Sequence, residues 1–234
     1  MKIKNKRASH VGMILSFVIF ITFLIFLFSI TQPVTNIKTD KQDLLEYLKK
    51  GLVDEVSADV TSSSLKILEI KDCVKVPIIE GTEEMNVIVK DEKQNLVESN
   101  KELNMLLIKT QGKDFFKVYY LETSTLPETG LSACEEIKDY NIGLTKTEKY
   151  VLEIKIINLT NFINENIDNY EEIKEKLKIP FGSEFGFSFK NAEGEIISTN
   201  EREILTDIYS EEIPIQYVDN EANIKPGFLT ILIY

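Results

Sequence analysis

The side chains that could carry chemistry are few and awkwardly spaced. His10 is the only histidine among the 234 residues, and it stands just before a long uncharged run. It cannot join an active site built by the rest of the chain. Without a second histidine that remainder can hold no Ser-His-Asp triad, no Cys-His pair and no His-containing zinc site. Cys73 and Cys134 are the only cysteines, too few for a zinc or iron–sulfur centre. In an exported domain the even pair suits one disulfide closing a loop of about sixty residues. In a cytoplasmic domain two buried thiols are the reading.

Carboxylates are plentiful but unorganised. "EGTEEM", "CEEIKD" and "YSEEI" lack the alternating ligands and invariant glycine of an EF-hand, and read as solvated faces and loops. A two-carboxylate hydrolase finds many acids here, yet spacing singles out no pair. No P-loop or Rossmann glycine fingerprint occurs. The sequence therefore assigns no catalytic residue, no cofactor and no metal ligand. "LPETG", Leu126 to Gly130, reproduces a sortase cleavage motif. It precedes about a hundred residues that read as folded, so its proline and glycine mark a surface loop. Asn158-Leu159-Thr160 is a glycosylation triplet, which makes Asn158 a candidate modification site.

The elements that would position these residues begin with the apolar run. Val11 to Ile30 is twenty residues, sixteen of them large and apolar, interrupted only by Gly12, Ser16, Thr22 and Ser29. As a helix it spans roughly 30 Å, the thickness of a bilayer hydrocarbon core. A cleavable secretory signal has a shorter apolar region and small residues at its cut site, which this run lacks. Lys2, Lys4, Lys6 and Arg7 precede it, and no charge follows until Lys38. The positive-inside rule then puts the N-terminus in the cytoplasm and the domain outside.

Lys6-Arg7-Ala8 leading directly into a hydrophobic helix resembles the leader of archaeal type IV pilin-like proteins, which carry class III signal peptides cut after a small residue. The resemblance covers the N-terminus only. It implies that Ala8 ends the leader and Ser9 begins the mature chain, with the apolar helix retained. The run "SHVGMILSFVIFITFLIFLF", together with "LKIPFGSEFGFSF", is also similar to archaeal membrane-anchored proteins.

Beyond the span, Pro33 and "TNIKTD" predict a kink or short linker. Leu44, Leu45, Leu48, Leu52, Val53 and Val56 then recur on one face of an amphipathic helix capped by Thr39 or Asp40. From Val60 the pattern turns to strands: "SLKILEI", "NVIVKD", "LNMLLIK" and "FFKVYYL" predict an antiparallel meander, with "TQGKD" as a hairpin turn. "KYVLEIKI" fits strand or helix. Residues 158–178 place Leu159, Phe162, Ile163, Ile167, Tyr170, Ile173 and Leu177 on one helical face. Phe185, Phe187 and Phe189 share one face of a strand. "NAEG" then reads as a turn, and "IPIQYV" and "GFLTILIY" as a last strand pair around "DNEANIKPG".

The organisation expected is a cytoplasmic leader (1–8), a transmembrane helix (9–32), a linker and amphipathic helix (33–57) and an extracytoplasmic α+β domain (58–234). Beyond residue 38 the chain carries 22 basic against 38 acidic residues, a balance that repels phosphate backbones and disfavours nucleic acid. The functional expectation is a non-enzymatic, pilin-like structural or assembly subunit of the cell membrane. Its self-association, or its packing with pilus or secretion subunits, would run through the Val11 to Ile30 helix. The alternatives are an anchored receptor or accessory binding subunit and, below that, a carboxylate-dependent hydrolase.

Overall fold

The computed structural model describes residues 7–69, 71–122, 130–131, 133–200 and 208–234, without the side chains of 7–9 and 30–40. The chain divides into two units, Met1–Tyr47 and Leu48–Tyr234. Helix α1, Arg7–Glu55, contributes to both.

In the first unit the stretch His10–Ser29 is long and apolar enough to cross a membrane, and none of it is buried. Two hydroxyls within it, those of Thr22 and Ser29, bond back to the helix. Thr22 Oγ1 donates to the Val18 and Ile19 carbonyls at 3.0 and 2.9 Å, and Ser29 Oγ to the Ile25 carbonyl at 2.9 Å. These two hydroxyls therefore need no water. Where a kink or short linker is expected at Pro33, no linker forms: α1 runs through it as a single element. A helical proline removes only one ladder bond, here to the Ser29 carbonyl, and a cooperative helix of 49 residues absorbs that loss.

The second unit is a mixed α+β domain with two sheets. The larger has strand order β11-β10-β13-β12-β9-β1-β7-β3-β4. Its first-half members are β1 (Ser57–Ile67), β3 (Asn86–Asp91), β4 (Leu96–Val97) and β7 (Phe115–Leu121). Those of the second half are β9 (Tyr140–Leu152), β10 (Phe185–Lys190), β11 (Ile196–Ser198), β12 (Tyr209–Val218) and β13 (Ile224–Ile233). The smaller sheet runs β5-β6-β2-β8, from β2 (Cys73–Pro77), β5 (Ser99–Glu102), β6 (Met105–Lys109) and β8 (Glu135–Glu136).

A simple meander is thus not what forms. Lys113 N donates to the Thr110 carbonyl across the "TQGKD" turn, with Gln111 and Gly112 at positive φ. The strands it joins, β6 and β7, nevertheless enter different sheets. β7 instead lies between β1 and β3. It can sit there because both of its faces are apolar. Phe116, Val118 and Tyr120 join a core with Leu65, Ile67, Val89 and the small-sheet residues Val74, Val76, Leu106 and Ile108. Tyr119 and Leu121 point the other way, into a second core with Ala58, Val60, Ile88, Leu152, Val218 and Ala222. The period of two along a strand sorts these side chains between the two cores.

"KYVLEIKI" resolves as a junction: β9 ends at Leu152 and helix α2, Glu153–Glu165, begins at once. The single helix expected over 158–178 is two, because Asn166 is extended (φ −157°, ψ 170°) and its side chain accepts from Asn169 N to cap α3, Ile167–Lys176. Tyr170 of α3 stacks on Phe185 with ring centroids 5.1 Å apart, and Phe185, Phe187 and Phe189 are all buried.

Candidate functional site

The residues flagged by the sequence do not converge. His10 is exposed in the apolar stretch of α1. Ala8 and Ser9 lie on the backbone of the same helix. Cys73, at the start of β2, is bonded to Cys134, which directly precedes β8, with Cα atoms 4.7 Å apart. The bridge lies beside the parallel pairing of Val74 with Glu135, so it ties the short β8 to the small sheet. Asn158 is exposed within α2. The "LPETG" motif lies outside the described residues except for Gly130. Among the described residues no group of three or more His, Cys, Asp or Glu side chains is placed to hold a metal ion.

A different set of polar residues does converge, around one recurring turn. Asp91, Asn191 and Asp219 each open a hairpin in which the residue three further on has positive φ: Gln94 at 64°, Gly194 at 88° and Ala222 at 58°. In each, the first residue's amide donates to the carbonyl four positions on, and its own carbonyl accepts from the residue at positive φ. Its side-chain oxygen accepts the amide four positions on at 2.9, 2.8 and 2.8 Å. An Asx side chain is suited to this because its oxygen accepts from backbone amides that the turn leaves without a backbone acceptor.

Two of these turns are linked by charge. Lys225 Nζ donates to Asp219 Oδ2 at 3.0 Å and to Glu193 Oε1 at 2.7 Å. Asn223 Nδ2 donates to the same Asp219 oxygen at 2.9 Å. Lys90, only 1% exposed, donates to Asn223 Oδ1 at 2.6 Å and lies 5.5 Å from the centre of the Tyr119 ring. Burial pushes the Lys90 ammonium below its ordinary range, opposed by the Asp219 and Glu221 charges. Burial alone would raise Asp219, but donation from Asn223, Lys225 and the Glu221 amide outweighs it and holds the carboxyl low. Burial raises Glu153, helped by the Asp219 charge and opposed by its bond from Asn191.

A lowered lysine and a raised glutamate in one region are what an acid–base site would show. The geometry leaves Asp219 and Lys90 no open position for a substrate. Both Asp219 oxygens are occupied, by the Glu221 and Asn223 amides on one side and by Asn223 and Lys225 on the other. Lys90 is closed to any substrate. The Asp91 turn is saturated in the same way: Oδ1 accepts the Lys93 and Asn95 amides, and Oδ2 accepts Asn95 Nδ2 and Lys113 Nζ. It borders an open depression of about 380 Å³. Donation from Lys113 and Asn95 holds the Asp91 carboxyl far below the usual range.

A third cluster pins α3. Glu184 takes Tyr170 Oη at 2.6 Å and Lys174 Nζ at 2.7 Å, while Tyr170 Oη accepts the Phe185 amide at 3.0 Å. Tyr170 and Lys174 are both buried.

The sequence reading missed all three clusters. For the turn clusters the signal was the spacing itself, an Asx followed four residues later by a polar residue in Asp91…Asn95, Asn191…Glu195 and Asp219…Asn223; the set of Tyr170, Lys174 and Glu184 carries no such local signal. What these arrangements can do is hold turns and strands in register. No protein-family model matches the chain, and no curated protein or solved structure shows significant similarity to it.

Proposed function

We propose that the chain is a single-pass membrane protein whose outer domain works by assembly or display rather than by catalysis, in the manner of a pilin-like subunit. The observation that carries this reading is the unburied apolar stretch His10–Ser29, which leaves a bilayer or other apolar helices as its natural surroundings. Packing of such helices between chains requires no catalytic group, in keeping with clusters that use up their own charges. The bridge between Cys73 and Cys134 agrees with an oxidising, extracytoplasmic setting, and the basic N-terminal flank with that orientation.

Electron microscopy of cells labelled on the outer domain tests the reading. Labelled surface filaments are the expected result. Label spread over the cell surface without filaments would favour an anchored receptor or accessory subunit instead.

A further inference from the structure

β9 is a strand with one long open edge. Along its other side it pairs with β1 from Tyr140 to Val151. On the open side, among the described residues, only Val151 and Leu152 pair with a strand, through Tyr217 and Val218 of β12, and the Lys149 side chain donates to Asp54 Oδ1 of α1 at 2.9 Å. Residues 141–147 are all exposed. The Leu152 amide donates to the Val56 carbonyl. By the alternation of an antiparallel ladder, the amides of 150, 148 and 146 therefore face β1, and those of 149, 147 and 145 face outward. The register slips near Ser64, where Gly143 and Leu144 together oppose one residue of β1. A Cβ at Gly143 would collide with Ser64 Oγ. The regular part of the open edge is thus Thr145 to Lys149.

The neighbouring strand is protected where β9 is not. The Asp219 amide donates to the Asn223 carbonyl, so the same alternation turns the backbone nitrogen of residue 214 away from β13. That residue is proline, which offers no donor to an incoming strand.

We propose that the open edge of β9 pairs antiparallel with the same edge of a second copy of this chain, about a two-fold axis through Thr147. In this register Thr147 faces its own counterpart in a hydrogen-bonded position. Lys146 then lies opposite Glu148 of the second copy, and Glu148 opposite its Lys146, at the non-hydrogen-bonded positions where side chains come closest. Lys146 and Glu148 already share one face and meet at 2.7 Å within a single strand, so the pairing closes a square of alternating charge. Thr145 faces Lys149 on both sides. Self-complementarity of this kind is what a two-fold interface requires, and confinement to a membrane would raise the effective concentration that favours it. The contact does not rest on the pilin-like reading, because it concerns the outer domain alone.

The test uses the full chain reconstituted in lipid nanodiscs large enough for two copies, with amine cross-linking and mass photometry to measure dimer. Lys146→Glu and Glu148→Lys each place like charges opposite one another twice, and each is expected to lower dimer affinity by about tenfold or more. The double exchange K146E/E148K restores alternation and is expected to recover the wild-type dimer. The single reversals also set like charges side by side within the strand, and Glu148→Lys removes the bond that Glu148 accepts from Tyr150 Oη. The thermal transition is therefore measured alongside, and is expected to fall only slightly at these part-exposed positions. A wild-type chain that stays monomeric, single reversals that leave the dimer intact, or a double exchange that fails to rescue it would each overturn the proposal. Dimerisation lost only on altering the apolar helix would overturn it while leaving the assembly reading standing.

Discussion

The ammonium of Lys90 donates to the side-chain oxygen of Asn223 across 2.6 Å, although the two residues lie 133 positions apart. The bond ties the end of β3 to the turn between β12 and β13, joining strands from the two halves of the domain. A double-mutant cycle with Lys90→Met and Asn223→Ala isolates it. Asn223→Ala is expected to cost about 1–3 kcal/mol, because it strands the buried Lys90 ammonium, and Lys90→Met less, because the half-buried Asn223 oxygen that it frees can bond to water; the coupling between them should be about 1 kcal/mol or more. Denaturant unfolding measures both, and a coupling near zero would mean that the pair merely coexists.

Glu153 and Asp219 should respond to pH in opposite senses. The folded state raises Glu153, chiefly by burial. Its contribution is therefore fully present below the unfolded value and lost as pH rises through the folded one. Glu153→Gln mimics the protonated form. It is expected to raise the melting temperature at pH 7 and to match the wild type below about pH 4. Asp219 is held low against its burial, so its contribution is present above the unfolded value and lost as pH falls. Asp219→Asn should lower the melting temperature at pH 7, by an amount that shrinks in acid. Thermal melts across that window decide both signs.

The recurring turn offers an internal comparison. Its left-handed position holds glycine at 194 but Gln94 and Ala222 in the other two hairpins. Gln94 is exposed, so Gln94→Gly is expected to stabilise by about 0.5–1 kcal/mol through relief of the backbone. Ala222 is buried in the second core. Ala222→Gly gains the same relief but loses a packed methyl group, about 0.8 kcal/mol, and should come out near neutral. Equal effects at the two sites would contradict the division into strain and packing.

Reduction of the Cys73–Cys134 bridge releases a closed loop with a sequence separation of 61. In the chain-entropy model the loss is ~4 kcal/mol. Denaturant unfolding with and without reductant should show it, and the Cys73→Ser/Cys134→Ser variant should match the reduced chain. No change on reduction would place the bridge outside the stability of the fold.

How much of this was legible follows from the range of the interactions involved. Phe185, Phe187 and Phe189 announce one strand face because alternation is local, and all three are buried. The apolar face of residues 158–178 was legible in part, since Leu159, Ile163, Tyr170, Ile173 and Leu177 are buried while Phe162 is half-buried and Ile167 exposed, and the break at Asn166 was not. One residue's extended backbone leaves the periodicity of its neighbours almost intact. The insertion of β7 between β1 and β3 was invisible for another reason. Strand partners are chosen by packing between distant segments, and "FFKVYYL" says only that both faces are apolar. The cluster around Lys90 and Asp219 was hidden likewise, since lysine and aspartate near turns normally read as solvated. At Pro33 the local rule did not end the helix, which runs on through it as one element of 49 residues.

The most direct test of the anchored, pilin-like reading is the intact mass of the protein taken from its native membrane. The expected mass is that of residues 9–234 with the apolar helix retained and two hydrogens missing for the bridge between Cys73 and Cys134. A chain still beginning at Met1 would contradict processing between Ala8 and Ser9. A soluble chain beginning beyond Ile30 would contradict the anchor itself.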